Sequence, residues 1–324
     1  MQNKNIEIFF EDGQGLGNQL WLYAALRGIS KFHDANYFVN SVDKFKGKDF
    51  LEIDLGTKKA SKLENFFEQL YYDEQLNNLS CIYDSSIETI SSNIILKGLF
   101  QSEKYFYGNE KLLSSWIRPS QSIKKESINF NKYIILNIRG GEYKRHNNLI
   151  LPKSYWENAL NILNSKNQSS KVLIVTDDRH YSKWLFPNFD IISNSIEECY
   201  AALYGGKALA ISNSSFSYFP IKTRLDKPFV IAPLYCARYD NEYERWASPA
   251  NLYKDWKYLN KKKEIFNFQD LETRMIENEI FFKENFKIGI ISVNKVIKNK
   301  YFFIPKLIRV IIKKILNKIS PKRF

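Results

Sequence analysis

The stretch KYIILNIRGGEYK, residues 132–144, joins an apolar run to a polar loop that contains two glycines. The run YIILNI has the composition of a strand that is buried on both faces. Two further units have the same form: KVLIV before TDDRHY at residues 171–181, and KALAI before SNSSFSYF at residues 207–219. Apolar residues at helical spacing lie between them, at residues 153–164 and 196–204. Strands that alternate with helices predict an α/β chain with a parallel sheet, whose polar loops meet at the carboxyl edge.

The N-terminal part of the sequence has a similar organisation. IEIFFED at residues 6–12 predicts a strand, and residues 19–32 predict a helix, with the loop DGQGLGN between them. Strands near residues 37–39 and 93–100 follow. We predict that the charged stretch between these two strands, as far as about residue 78, is helical.

The length of the chain and one polar segment predict the domain boundaries. A chain of 324 residues usually forms two domains. WIRPSQSIKK at residues 116–125 is polar and contains Pro119, as is typical of a linker. We therefore predict an N-terminal domain at residues 1–118, a second domain at 119–260, and a helical, basic tail at 261–324.

The positive charge is concentrated in this tail. The net charge is +13, and eleven Lys and Arg with no acid follow residue 284, so subtracting these eleven leaves +2 for the rest. This distribution speaks against a nucleic-acid-binding face on the main fold. KLIRVIIKKILNKI at residues 306–319 places Leu and Ile on one helical face. Such a basic amphipathic helix predicts contact with an anionic membrane, and the alternative is a terminal helix docked on the protein.

The remaining composition predicts the cellular compartment. The three cysteines are odd in number and far apart, which predicts reduced thiols and no metal site (Cys81, Cys199 and Cys236). The first residues lack the apolar core of a signal peptide, and no run of eighteen apolar residues occurs. We therefore expect a cytoplasmic protein, peripheral on the inner face of the plasma membrane.

The loop DGQGLGN resembles part of a dinucleotide fingerprint. From Gly15 the pattern G-x-G-x-x-G requires a small residue where Leu20 stands, so a nicotinamide-dependent oxidoreductase is disfavoured. A glycine turn before a helix still offers backbone N–H groups to an anion or a sugar, and Asn18 and Gln19 add polar groups. The structural alternative is a tight turn in which Asn18 caps the helix.

The other polar loops also fit a ligand that contains phosphate. Arg139 offers a planar fork for two diphosphate oxygens, and Gly140 and Gly141 allow close approach to the backbone. The loop from Asn213 to Ser217 offers hydroxyls and amides at a helix start, as a phosphate site or simply as a helix cap. A carboxylate in the TDD loop can bind guanine, or the two acids can be turn formers. Glu142 is a proton acceptor or, alternatively, an exposed partner of Arg139.

Taken in order, GxGNQ, QSEKYF, NIRGGEY, TDD and SNSSFS give the chain a resemblance to the bacterial α-1,2-fucosyltransferase family, glycosyltransferase family 11, over roughly residues 6–260. The resemblance implies a GT-B architecture, in which two Rossmann-like domains face each other across a cleft. It also implies a GDP-sugar donor, inversion at the anomeric carbon, and neither an essential metal nor another cofactor.

The central motif of this family is H-x-R-R-G-D-Y, and here Arg139 keeps the arginine that grips the β-phosphate in related fucosyltransferases. Asn137, Gly140 and Glu142 replace the histidine, the second arginine and the aspartate. We predict that Lys144 or Arg145 supplies the lost positive charge. The predicted donor site consists of Gly15, Asn18, Gln19, Asn137, Arg139, Lys144, Arg145, Asp177, Asp178, Asn213, Ser214, Ser215, Phe216 and Ser217.

The resemblance implies a reaction in which Arg139 stabilises the departing diphosphate. Glu142 is the nearest candidate for the base that deprotonates the acceptor, and Asp12 is its competitor. The implied activity is transfer of L-fucose from GDP-fucose, in α-1,2 linkage, to an oligosaccharide of an O-antigen or capsule, either free or linked to lipid. The alternatives are a transferase for another GDP-deoxysugar such as GDP-colitose, and a non-catalytic carbohydrate-binding or scaffold protein of the same fold.

Overall fold

The computed structural model describes residues 4–59, 62–73, 78–166, 170–239, 244–246, 251–285 and 288–289. The N-terminal half contains the strands β1 Asn5–Phe9, β2 Asn36–Asn40, β3 Leu51–Ile53, β4 Glu64–Phe67, β5 Leu70–Asp73, β6 Asn78–Cys81, β7 Ile94–Lys97 and β8 Ile117–Pro119. Its helices are α1 Leu16–Phe32 and α2 Leu113–Trp116. The long helix α1 follows β1 directly, as the sequence predicts.

The first sheet is parallel and has the strand order β2-β1-β7-β4. Strand β1 lies in its middle, and Ile6 and Ile8 of that strand are fully buried. Smaller antiparallel pairings flank this sheet: β3 pairs with β8, and β5 pairs with β6 and with a late strand, β16 Ile288–Gly289. The loops after β1 and β7 therefore emerge at the same carboxyl edge.

The second half contains the strands β9 Tyr133–Ile138, β10 Lys171–Thr176, β11 Asp190–Ile192, β12 Ala208–Ile211, β13 Phe229–Pro233, β14 Lys257–Leu259 and β15 Ile265–Phe266. Its helices are α3 Gln121–Ser127, α4 Lys153–Lys166, α5 Arg179–Leu185, α6 Ile196–Gly205, α7 Tyr218–Lys222 and α8 Phe268–Asn285. Helices α4 and α6 occupy the positions that the sequence predicts.

The second sheet has the strand order β11-β10-β9-β12-β13-β14-β15, and only the pairing of β15 is antiparallel. Counted from β9, this is the order 3-2-1-4-5-6 of a Rossmann sheet. The direction of winding reverses between β9 and β12, and ligands of such sheets bind beyond the carboxyl ends of the strands at that point. The predicted α/β class with Rossmann-like parallel sheets is confirmed.

The two sheets share one hydrophobic core. Trp21 of α1 is fully buried, and its ring centroid lies 5.5 Å from that of Phe106 in the N-terminal half. On its other side lie rings of the second half, Tyr218 at 4.3 Å and Phe219 at 5.3 Å. Helix α1 therefore belongs to the packing of both halves, and residues Met1–Gly289 form one compact unit.

Two sequence predictions are wrong. The stretch predicted to be helical contains β3, β4 and β5. Its aromatic residues suit strands, and pairing with distant partners such as β7 and β8 decides the outcome. The predicted linker at residues 116–125 is not a linker either, because it contains β8 and the start of α3, and Ile117 is fully buried.

The basic amphipathic helix predicted at residues 306–319 lies outside the described residues. Within the part of the chain that the structure describes, no helix has the length and apolar character needed to cross a bilayer. The predicted boundaries at residues 118 and 260 stay predictions.

Candidate functional site

The polar loops after β9, β10 and β12 contact one another at the carboxyl edge of the second sheet. The backbone N–H of Gly140 donates to Asp177 Oδ1 at 2.9 Å, which joins the loop after β9 to the loop after β10. The hydroxyl of Tyr143 donates to the carbonyl of Asn213 at 3.4 Å, which joins it to the loop after β12. The predicted convergence of these loops is confirmed.

Arg139 is the first residue after β9, beside the point where the winding reverses. Its Nη1 lies 3.1 Å from Asp177 Oδ2, and its side chain is 26% exposed. The ring of Tyr143 lies under the guanidinium, 5.2 Å from Cζ to the ring centroid. Burial raises the pKa of Tyr143 to about 12, so this ring stays neutral and offers its face to the cation. The guanidinium is therefore held between a carboxylate and an aromatic face.

Three buried polar atoms beside this winding reversal have no hydrogen-bond partner among the described residues. They are Arg139 Nε, Asn137 Oδ1 and Ser212 Oγ. Asn137 is the last residue of β9 that pairs with β12, where its partner is Ile211, and Ser212 follows Ile211 directly. Buried polar groups are normally paired in proteins, so unpaired groups that cluster at a ligand-binding edge indicate a place for a polar ligand.

The two glycines of the loop after β9 serve the close approach of the TDD loop. A Cβ on Gly140 would come within 2.6 Å of the Asp178 Cβ, and one on Gly141 within 2.5 Å of Asp177 Oδ2. The Gly141 N–H donates to Asp178 Oδ2 at 3.1 Å. The backbone donors that the sequence analysis assigns to a diphosphate are thus occupied by Asp177 and Asp178. These carboxylates hold the loop, and their predicted contact with guanine is not supported.

The two basic residues that follow this loop differ in their contacts. Lys144 Nζ forms an ion pair with Asp178 Oδ2. Burial raises the pKa of Asp178, but the hydrogen bond from Lys144 and the backbone N–H donors outweigh it and lower the pKa below its ordinary value. Arg145 is exposed at the end of the loop, and no ion pair joins it to the described residues. Lys144 is therefore fixed beside the loop with its charge balanced by Asp178, and the choice between Lys144 and Arg145 stays a prediction.

The loop from Asn213 to Ser217 is held by its own hydrogen bonds. Ser214 Oγ caps the following turn by accepting from the Phe216 N–H at 3.3 Å, and Ser217 Oγ donates to the Ser214 carbonyl at 2.9 Å. The side chain of Asn213 bridges two other segments, because Nδ2 donates to the Leu149 carbonyl at 2.8 Å. The structural and ligand-binding interpretations of this loop thus apply to different atoms of the same residues.

Asn18 connects the carboxyl edges of the two sheets. Its Oδ1 accepts from Gln101 Nε2 at 2.9 Å, in the loop after β7, and from Ser215 Oγ at 2.7 Å, in the loop after β12. Gly17 allows this approach, because a Cβ there would lie 2.5 Å from the Ser215 carbonyl carbon. These contacts bring the DGQGLGN loop to the edge where Arg139 lies.

Gln19 does not belong to this edge, contrary to the sequence prediction. It is fully buried, its Nε2 donates to the Lys44 carbonyl at 2.8 Å, and its Oε1 accepts from the Lys46 N–H at 2.9 Å. It fixes the segment after β2 instead of facing a ligand. Gly15 stands at the start of α1 with open space where a Cβ would lie, so it leaves the end of the helix accessible.

The two candidate bases occupy different loops. Glu142 is exposed in the first turn of the loop that carries Arg139. Asp12 is 84% exposed and lies 2.8 Å from Lys44 Nζ. Both carboxylates are reachable from solvent, and the choice of base stays a prediction.

Two parts of the chain that contact or adjoin these loops have no site role predicted from the sequence. Glu103 of the QSEKYF motif is mostly buried and accepts from the Tyr218 hydroxyl at 2.6 Å, while Lys222 Nζ lies 3.2 Å away. The segment after β13 has left-handed backbone at Tyr235 and Ala237, and the Ala237 N–H donates to Asn213 Oδ1 at 3.1 Å. The segment after β13 follows a strand of the same parallel sheet, and this position was the signal that could have predicted its place at the carboxyl edge.

A cavity of about 550 Å³ lies farther along the edge, beyond β13 and β14, among Tyr235, Tyr239, Asn260, Phe266, Asp270 and Arg274. We place the candidate site at Arg139 and not in this cavity, because the unpaired buried atoms and the quoted motifs meet at Arg139. Within the described ranges, no three His, Cys, Asp or Glu side chains are grouped as metal ligands. The expected independence from metal stays a prediction.

No family model and no curated protein matches this chain. Solved structures similar to it include the fucosyltransferase NodZ from Bradyrhizobium, with 12% identity and a TM-score of 0.42 over 68% of this chain and 93% of that one. POFUT1 in complex with GDP has 12% identity and a TM-score of 0.41 over 71% and 98% of the two chains. The glycosyl transferase family 9 protein from Veillonella parvula has 13% identity and a TM-score of 0.42 over 91% and 95%. Similarity at this level assigns neither family nor activity, so membership of glycosyltransferase family 11 stays a prediction.

Proposed function

We propose that this chain is an inverting glycosyltransferase that uses a GDP-sugar and transfers L-fucose from GDP-fucose, in α-1,2 linkage, to a glycan acceptor. The observation that carries the proposal is the position of Arg139. It stands at the carboxyl end of β9, where a Rossmann sheet binds its ligand, and its buried Nε has no partner among the described residues. The sequence motifs that resemble family 11 meet at the same edge.

The proposed mechanism follows from the charge that develops during transfer. As the bond between sugar and diphosphate lengthens, negative charge grows on the leaving oxygens, and the sugar becomes cationic. Arg139 would stabilise the leaving group through two parallel N–H bonds, which is the geometry that guanidinium groups offer to phosphate. Ser212 and the loop from Asn213 to Ser217 lie on the adjacent strand end and would contact the same diphosphate.

The acceptor hydroxyl must lose a proton as it attacks from the opposite face. Glu142 is proposed as the base because it is exposed on the loop that carries Arg139. Asp12 is the second candidate, from the loop after β1. A glycan of an O-antigen or capsule, carried on lipid at the cytoplasmic face of the membrane, is the proposed acceptor, and the basic tail is the proposed membrane contact.

The experiment is a GDP-release assay with the full chain and a panel of GDP-sugars, with UDP- and ADP-sugars as controls. We expect release from GDP-fucose that increases with a galactose-terminated acceptor and is unchanged by EDTA. Turnover of GDP-colitose alone would support the alternative donor. Binding of GDP without turnover of any donor would support a scaffold. Absence of GDP binding would refute the proposal.

The membrane contact requires its own test. A chain that ends at Gly289, and so keeps β16, is compared with the full chain in sedimentation with vesicles that contain anionic lipid. We expect only the full chain to sediment, since the basic residues of the tail are drawn to anionic lipid. Equal sedimentation of the two chains would show that the tail is not the anchor.

A further inference from the structure

Asp177 has two contacts that both lead to the loop after β9. Its Oδ2 lies 3.1 Å from Arg139 Nη1, and its Oδ1 accepts from the Gly140 N–H at 2.9 Å. The same oxygen that pairs with Arg139 lies where a Cβ on Gly141 would collide with it, at 2.5 Å. The carboxylate is therefore enclosed by this loop, and both of its oxygens are already used.

The contact with Asp177 uses Nη1 of the guanidinium and does not involve Nε. Asp177 contacts Nη1, whereas Nε and Nη2 share the other edge, where two N–H groups point in parallel. Nε is buried and has no partner among the described residues. The ring of Tyr143 restricts the guanidinium from below. The side chain is thus oriented before any ligand binds, and its Nε has no partner among the described residues.

We propose that Asp177 is a positioning residue: by holding Nη1 of Arg139 it presents the Nε and Nη2 edge to the β-phosphate of the nucleotide. This inference rests on the proposed GDP-sugar function and assigns to Asp177 a role different from contact with guanine. A carboxylate whose oxygens already accept from Gly140 and Arg139 gains little from a nucleobase. Fixing an arginine against its carboxylate partner removes rotamer freedom that binding would otherwise have to remove.

The test compares two ligands that differ in the β-phosphate alone. Affinities of the full chain for GDP and GMP are measured by titration calorimetry for the wild type and for Asp177→Asn, which keeps an oxygen acceptor for the Gly140 N–H but removes the charge. We expect GDP to bind roughly 10-fold more weakly, because binding must then order the side chain of Arg139, and 10-fold is at the upper end of the cost of ordering one long side chain. We expect the affinity for GMP to change by less than about twofold. An equal loss for both ligands would overturn the inference in favour of contact with guanine.

A matched control is available in a second Arg–Asp pair. Asp226 pairs with Arg224 at the opposite end of the sheet, so Asp226→Asn makes the same chemical change away from the site. It should leave the affinities for GDP and GMP unchanged. A loss of GDP affinity equal to that of Asp177→Asn would show a general effect of charge and would overturn the inference.

A double-mutant cycle tests whether Asp177 acts through Arg139. In the Arg139→Ala background, Asp177→Asn should cost no further GDP affinity; an undiminished loss would overturn the inference. If Asp177→Asn does not fold, as judged by thermal melting, Asp177→Ser, which also removes the charge, replaces it in both measurements with the same expectations. Failure of the wild type to bind GDP would refute the proposed function itself, an outcome distinct from all of these.

Discussion

Two arginines of the second half pair with aspartates, but their guanidinium groups are satisfied to different degrees. Arg224 uses Nε and Nη2 to hold both oxygens of Asp226, and its Nη1 donates to the Gly206 carbonyl at 2.7 Å. Arg139 uses Nη1 for Asp177, and its buried Nε has no partner among the described residues. The first arginine lies at the amino edge of the sheet, and the second lies at the carboxyl edge, where ligands bind. A fully paired arginine stabilises the fold, while an arginine whose Nε lacks a partner at the ligand-binding edge is a candidate for contact with a ligand.

The largest expected effect is on catalysis. Arg139→Ala should lower kcat for transfer from the GDP-sugar by about 100-fold or more, because it removes a preorganised donor to the leaving diphosphate. The free energy of unfolding should change by less than about 1 kcal/mol, since the ion pair with Asp177 is partly exposed. Single-turnover kinetics and chemical denaturation measure the two quantities. If Arg139→Ala were fully active, the proposed distinction between a ligand-binding Arg139 and a structural Arg224 would be wrong.

The converse effect is expected at the amino edge. Arg224→Ala should lower the free energy of unfolding by about 2 kcal/mol, because the carbonyl of Gly206 loses a charged donor. The kcat of the folded protein should not change. Urea denaturation together with the GDP-release assay gives both values, and a loss of kcat without a loss of stability would contradict the comparison.

A smaller effect should distinguish the two basic residues beyond Arg139. Lys144→Ala should raise the KM for the GDP-sugar by up to about 5-fold, a size typical of an exposed charge. Arg145→Ala is the control and should leave this KM unchanged, because Arg145 lies at the exposed end of the loop. Initial rates at varied donor concentration measure both. The assignment would be reversed if only the Arg145 variant changed KM.

The smallest expected effect is the pH dependence of the stability that Asp226 contributes. The hydrogen bond from Arg224 is the main cause that lowers the pKa of Asp226, against partial burial that raises it. A carboxyl whose pKa is lower in the folded state stabilises the protein above its unfolded pKa of about 3.9 and loses this contribution as the pH falls through the folded pKa. The difference in unfolding free energy between wild type and Asp226→Asn should be below about 1 kcal/mol at pH 7 and smaller at pH 3. A difference that increases in acid would be inconsistent with this pairing.

The sequence predicts three strands of the second sheet, β9, β10 and β12, because each carries its own signal, whereas β11, β13, β14 and β15 are not predicted. Apolar β-branched runs end in polar loops, and parallel strands bring those loops to one edge, so the contacts of Gly140 and Tyr143 with neighbouring loops follow from topology. The role of the two glycines could not be predicted. Their need for space comes from Asp177 and Asp178, which lie on another strand end.

The errors have a common physical cause. Strands β3, β4 and β5 are short and pair with segments far away in the chain, so local composition does not specify them. Gln19 is a polar residue in a motif, a pattern that suggests a ligand, while Glu103 lies in the QSEKYF motif and has no predicted role. In the folded chain Gln19 is buried against a loop, and Glu103 joins the two halves through Tyr218. Burial of a polar side chain depends on tertiary contacts that its own sequence neighbourhood does not reveal.

Within one turn, helix α1 makes a hydrogen bond and an aromatic ring contact with the second half. Asn18 contacts Ser215, and Trp21 packs on Tyr218 three residues later. Inserting one residue between Asn18 and Trp21 would turn one contact by about 100° relative to the other, so both could not be kept. The three-residue spacing between Asn18 and Trp21 therefore fixes how the two contacts are placed relative to each other. Insertions and deletions should be tolerated in the surface loops but not in this turn.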